Sequence, residues 1–105
     1  MTLPTQLVLR AFLDQPEREF YGLELCTAAG LASGTVHPIL ARLERQGWVC
    51  SRWEQLDPRE AGRPRRRYYS MTPDGAEKAH RALVRASSSV HRLKTLRPGL
   101  AGGPA

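Results

Sequence analysis

Between Ser33 and Gly47 the chain reads SGTVHPILARLERQG, and no other stretch limits the possible folds as tightly. Val36, Ile39, Leu40 and Leu43 fall on one face of a 3.6-residue period, which predicts an amphipathic helix. Ser33 is placed to cap its start, because a hydroxyl there accepts from an otherwise orphan backbone N–H. Gly47 is placed to end it in the left-handed conformation that glycine adopts cheaply. Thr35, His37, Arg42 and Arg45 lie off the apolar stripe. Such a face suits a helix that reads DNA, and it also suits an ordinary solvated surface. The flanking stretches decide between the two.

Gly22 to Ala29 predicts a second helix immediately upstream, with Leu25 and Ala28 inward and Glu24 outward. Phe20 and Tyr21 before it read as a very short strand, Gly30 as the turn, and Leu31 as a plug into the core. Helix, short glycine-containing turn, helix is the spacing of a helix-turn-helix, whose second helix enters the major groove. Thr2 to Asp14 predicts the first helix, capped by Thr5 and broken at Gln15 and Pro16. Leu9, Phe12 and Leu13 are expected to face the core. Leu3, Leu7 and Val8 then leave apolar surface on other faces, enough to suggest a partner subunit.

Downstream, Trp48 to Leu56 and Arg65 to Met71 read as two strands, separated by the turn-forming run Asp57 to Pro64. In the first of them Trp48, Cys50 and Arg52 alternate with Val49, Ser51 and Trp53. A hairpin directly after a recognition helix is a wing. Its arginines Arg59, Arg63, Arg65, Arg66 and Arg67 outnumber Asp57 and Glu60, and an arginine-rich loop suits the negative potential of a minor groove. The predicted fold is therefore mainly α with a β-hairpin wing, a winged helix-turn-helix over residues 1–71.

Residues 72–97 are expected to form a dimerisation helix. Thr72 caps it, Pro73 sits in the first turn and Asp74 suits its positive end. Ala76, Leu83 and Val90 recur every seven residues, as do Ala79, Ala86 and Leu93. Ser87 to Ser89 weaken the helical pattern. The expected dimer contacts are Leu3, Leu7, Leu83, Val90 and Leu93. Residues 98–105, rich in glycine and proline, are expected to be a disordered tail.

Charge supports a polyanionic partner. Residues 1–50 carry four arginines against five acids, whereas the remaining twelve basic and five acidic residues all follow. Double-stranded DNA is expected ahead of a membrane surface, and no apolar run is long enough to span a bilayer. Without a signal segment the chain is expected to be cytoplasmic, with Cys26 and Cys50 as buried free thiols. No cofactor, metal or enzymatic activity is expected. His37, His80 and His91 have no carboxylate or cysteine constellation around them, and the serines at 87–89 form no nucleophile motif.

Taken together, these residues resemble the PadR family of winged-helix transcriptional regulators. The likeness runs from Tyr21 to Gly75 in order and in register. It comprises Tyr21-Gly22 with Glu24; Gly34-Thr35, Pro38, Leu40, Arg42-Leu43-Glu44 and Gly47; Trp53-Glu54; Gly62-Arg63-Pro64-Arg65 with Tyr68-Tyr69; and Thr72-Pro73 with Gly75. The resemblance implies a homodimeric regulator, usually a repressor, on an inverted-repeat operator. By position, Ser33, Gly34, Thr35 and His37 would approach bases and phosphates. Tyr21 and Gly22 would touch the DNA backbone, and Arg63 and Arg65 would occupy the wing. With Arg42, Arg66 and Arg67 these make up the expected DNA-binding set. The chain departs from the family at His37, where an aromatic residue, often tyrosine, is usual. It also has little beyond the last helix, where longer relatives carry an effector-sensing domain.

Other readings stay open. A winged helix used only for protein–protein contact is the main alternative, although it needs no arginine cluster. RNA binding would call for exposed aromatics beside the arginines, and of Tyr68 and Tyr69 strand alternation sends at least one to the core. A small-molecule effector would suit a pocket lined by Trp48 and Trp53; otherwise Trp48 anchors the hairpin to the core and Trp53 is partly exposed.

Overall fold

The computed structural model describes the backbone of residues 1–96 and the side chains of residues 1–87. Helix α1 spans Leu3–Asp14. Thr2, not Thr5, caps it: the Thr2 hydroxyl accepts from the Thr5 amide at 3.4 Å, and Pro4 occupies the first turn. Thr5 lies inside the helix, 4% exposed, its hydroxyl 2.9 Å from that of Thr2. The buried stripe is Thr5, Val8, Leu9 and Phe12, so Val8 belongs to the core and Leu13 only borders it. A run with apolar residues on several faces satisfies more than one stripe, and packing kept Leu9 and Phe12 inward, as expected, while taking Val8 ahead of Leu13.

Strand β1, Phe20–Tyr21, leads into α2, Gly22–Ala29. Phe20 meets Phe12 edge-on at 5.6 Å. Glu24 accepts from the Tyr21 amide at 3.1 Å, which satisfies a donor at the helix start. Leu25, Cys26 and Ala29 are buried, whereas Ala28, expected inward, is exposed. Gly30 turns the chain, and Leu31 packs against the core as expected.

Helix α3 spans Ser33–Arg45 and buries Val36, Ile39, Leu40 and Leu43, the predicted stripe. Its cap is Ala32, and Ser33 is already helical. The amides of Thr35 and Val36 both donate to the Ala32 carbonyl, so the helical pattern begins one residue earlier than a Ser33 cap requires. Pro38 lies inside the helix and cannot donate to the Gly34 carbonyl. Gly47, at φ 76°, reverses the chain so that the Trp48 amide reaches the Leu43 carbonyl at 3.0 Å.

Strands β2, Val49–Trp53, and β3, Arg67–Met71, pair antiparallel, and β1 adds to the other edge of β3. Both strands are shorter than predicted. Val49, Tyr69 and Met71 are buried on the inner face. Cys50 pairs with Ser70 on the outer face, and this thiol, expected buried, is exposed. The alternation set that looks inward starts at Val49. Within the run read as turns lies a one-turn helix α4, Pro58–Ala61, capped by Asp57 and ended by Gly62. Asp at the cap, Pro in the first position and Gly after the end are the ordinary punctuation of a helix.

Helix α5 runs Pro73–Leu96 and continues through the serines at 87–89. The Thr72 hydroxyl accepts from the Gly75 amide at 2.9 Å and donates to the Gly47 carbonyl at 2.8 Å, so one side chain caps α5 and ties it to the end of α3. Ala79 is fully buried, with Ala76 and Leu83 beside it, so the first turns of α5 share the core built by α1, α2 and α3. The side chains of Val90 and Leu93 and the expected tail at 98–105 lie outside the described residues. Among the described residues no helix is long and apolar enough to cross a membrane.

Candidate nucleic-acid interface

The start of α3 is an open surface. Ser33, Gly34, Thr35 and His37 are all exposed there, while Val36 between them is buried. His37 packs over the start of α2: a Cβ on Gly22 would lie 3.0 Å from His37 Cε1. Gly22 is thus the residue that lets the imidazole lie against α2. Tyr21, its neighbour, meets Tyr68 edge-on at 5.9 Å and lies 4.3 Å from the Arg66 guanidinium carbon, in cation–π geometry. Tyr21 and Gly22 therefore form a seam, with the tip of α3 on one side and a wing arginine on the other.

Arg42 is not part of that group. It sits about two and a half turns along α3, its Nη2 donating to Thr5 Oγ1 at 2.8 Å, in a cleft lined by Met1, Thr2, Leu43, Gln46 and Trp48. Trp53 lines a different cleft, with Glu54, Leu56 and Arg65, and is 59% exposed. Trp48 and Trp53 thus line different clefts.

The five wing arginines differ in their engagements. Arg63 pairs with Glu54 through both terminal nitrogens, at 2.7 and 3.1 Å. Glu54 also accepts from the Arg66 amide and the Tyr68 hydroxyl. The Arg63 hydrogen bonds, then the Arg66 amide, hold its carboxyl down at about 2. Arg67 donates to Glu44 at 2.9 Å and to the Ser51 hydroxyl at 2.9 Å. Arg65 donates its Nε to the Leu56 carbonyl at 2.9 Å, and Arg66 lies over Tyr21; neither forms an ion pair among the described residues. Arg59 sits on α4 at the wing's far end.

On the sheet's outer face Arg52 grips Glu19 at 2.6 and 2.8 Å, which lowers the Glu19 carboxyl and raises the Arg52 guanidinium. These carboxylates were not among the expected site residues. Two of them stand in motif positions, Glu44 after Arg42-Leu43 and Glu54 after Trp53, and that is the only signal the sequence offered.

Residues 13–81 match the Transcriptional regulator PadR-like family. No curated protein matches the sequence. Among solved structures of similar fold is the transcriptional regulator PA4135, 24% identical with a TM-score of 0.59, covering 94% of this chain; the chain spans 64% of its length. A PadR family transcriptional regulator from Eggerthella lenta DSM 2243 is 27% identical with a TM-score of 0.60, covering 91% of this chain and 81% of that one. Overoxidized AbfR bound to DNA is 24% identical with a TM-score of 0.64, covering 97% of this chain and 73% of that one. With the family match running from the end of α1 into α5, through the helix-turn-helix and the wing, the chain belongs to the PadR-like family of transcriptional regulators.

Proposed function

We propose that this regulator binds double-stranded DNA sequence-specifically, as a homodimer on an inverted-repeat operator, and represses by occupying promoter DNA. The observation that carries the reading is the seam at Tyr21 and Gly22, which joins the exposed start of α3 to the arginines of the wing. Thr35 and His37 reach base edges in the major groove and supply discrimination. Ser33, Gly34, Tyr21 and Gly22 meet the backbone, where small groups and amides allow close approach. Arg65 and Arg66 neutralise phosphates and release counterions, which supplies much of the affinity. AbfR, similar in fold, has been seen bound to DNA, and this agrees with the same use of the fold here.

The test is a fluorescence-anisotropy titration of the DNA upstream of the protein's own gene beside a scrambled duplex of equal length, at two salt concentrations. Selective binding that weakens steeply with salt is expected. A second arm enriches duplexes from a random library. If neither arm yields a preferred sequence, sequence-specific binding is wrong and a winged helix used for protein contact takes its place.

A further inference from the structure

We infer that Glu44 is a positioning residue for DNA binding: with Ser51 and Arg67 it sets the angle between α3 and the wing, and Arg67 serves that angle rather than a phosphate. The inference rests on the DNA-binding reading above.

Glu44 stands in the last turn of α3, where the helix dipole disfavours a carboxylate. Its two oxygens are both used across the gap to the wing. Oε1 accepts from Arg67 Nη2 at 2.9 Å, and Oε2 accepts from Ser51 Oγ at 2.5 Å. Arg67 Nε then donates to Ser51 Oγ at 2.9 Å, which closes a three-membered ring between α3, β2 and β3. The Ser51 hydroxyl both donates and accepts within it. The Arg67 guanidinium also lies 5.7 Å from the Trp53 ring and 5.6 Å from the Tyr69 ring. Its Nε and Nη2 are taken by Ser51 and Glu44, so a phosphate would have to compete with Glu44 for the guanidinium. Arg65, on the Leu56 carbonyl, and Arg66, over the Tyr21 ring, are held by no carboxylate among the described residues.

The place of the ring gives it leverage. The chain passes from α3 to β2 through Gln46, Gly47 and Trp48, where backbone bonds and the Thr72 hydroxyl hold the joint itself, and the ring adds a side-chain tie between the last turn of α3 and the strands beyond it. From there the wing reaches about 25 Å to its tip at the usual rise of an extended strand, so a tilt of about 10° moves the tip by roughly 4 Å. That exceeds the tolerance of a well-placed binding constellation. A loosened wing still meets DNA, but no longer in one register with the start of α3.

The full chain tests this with two duplexes, one enriched from a random library by the wild-type protein and one scrambled, each titrated at several salt concentrations. Glu44→Gln is expected to weaken binding to the enriched duplex by about tenfold. Binding to the scrambled duplex should hold or tighten, since a negative charge is removed, and the salt slope should stay unchanged. Ser51→Ala, which alters no charge, should show the same selective loss. The exchange of Glu44→Arg together with Arg67→Glu should recover much of the selectivity that Arg67→Glu alone destroys. The inference is overturned if Arg67→Gln flattens the salt slope by about one on both duplexes, or if the exchange recovers nothing. Should Glu44→Gln fail to fold, Ser51→Ala and the exchange decide alone. A wild-type protein that enriches no duplex overturns the DNA-binding reading and this inference with it, whereas variants that leave selectivity intact overturn only this one.

Discussion

Glu54 accepts hydrogen bonds from Arg63, from the Arg66 amide and from the Tyr68 hydroxyl, so one carboxylate gathers both sides of the wing's root. Its carboxyl is held at about 2, below the ordinary 4.5. A lowered value means that the charged form is favoured by folding. The contribution is therefore complete above about pH 4.5 and is lost as the pH falls from there toward 2. Acidification through that window should loosen the wing, seen as a lower protection factor of the Arg66 amide after correction for the pH dependence of intrinsic exchange, and Glu54→Gln should remove the effect of pH. An unchanged pH profile in Glu54→Gln would assign the loosening to another carboxylate, such as Glu19, which Arg52 also lowers. Gly75 is decisive for a different reason. A Cβ there would lie 2.5 Å from Trp48 Cα and 2.6 Å from its carbonyl carbon, and backbone does not yield as a side chain does. Gly75→Ala should cost about 1–3 kcal/mol, read from the urea midpoint. The sequence marked both positions only as parts of a motif. What Glu54 and Gly75 do depends on atoms brought near by the fold, and no local pattern carries that.

At the scale of elements, α3 was legible because its apolar residues satisfy one stripe only. On α1 and α2 Leu9, Phe12 and Leu25 are buried as expected, but Val8 is buried in place of Leu13 and Ala29 in place of Ala28, since neighbouring apolar residues there fit two adjacent stripes. Tertiary packing, not periodicity, chose between them. The site followed the same division. The start of α3 and the basic wing were visible, but the sorting of wing arginines into paired and unpaired depended on carboxylates from other elements. Two outcomes follow for the elements of the proposed DNA-binding surface. Gly34 has open space where a Cβ would be, so Gly34→Ala should stabilise α3, by about 0.5–1 kcal/mol in thermal or urea unfolding. The same change should weaken operator binding if, as proposed, the helix backbone approaches DNA at Gly34; a stabilised variant that binds as well as wild type would remove Gly34 from the interface. In the wing, Arg65→Ala and Arg66→Ala should each weaken binding to every duplex and lower the salt slope by about one. An unchanged slope would mean that the wing does not neutralise phosphates.

Among the described residues, α1 and α5 carry apolar side chains that the core leaves uncovered. With 24 residues, α5 is about 36 Å long. Its first turns pack through Ala76, Ala79 and Leu83, but Val84 is 51% exposed, and on α1 Leu3 is 65% exposed. Two-fold dimers set half-sites about 34 Å apart, one turn of the duplex, a distance that a pair of helices of this length is suited to span. A dimer mass, twice the 11.7 kDa of the chain, is therefore expected from light scattering without DNA. Val84→Glu places a charge on the uncovered side of α5, and a symmetric interface meets it twice. It should yield a folded monomer by circular dichroism, with affinity for an inverted repeat reduced to that for one half-site. A wild-type chain that scatters as a monomer at micromolar concentration would defeat the dimer. A Val84→Glu variant that stays dimeric would instead move the interface to Leu3 and α1. If dimerisation sets the half-site spacing, Val84→Glu should also abolish the preference for one spacing over another, while the discrimination contributed by Thr35 within a single half-site survives.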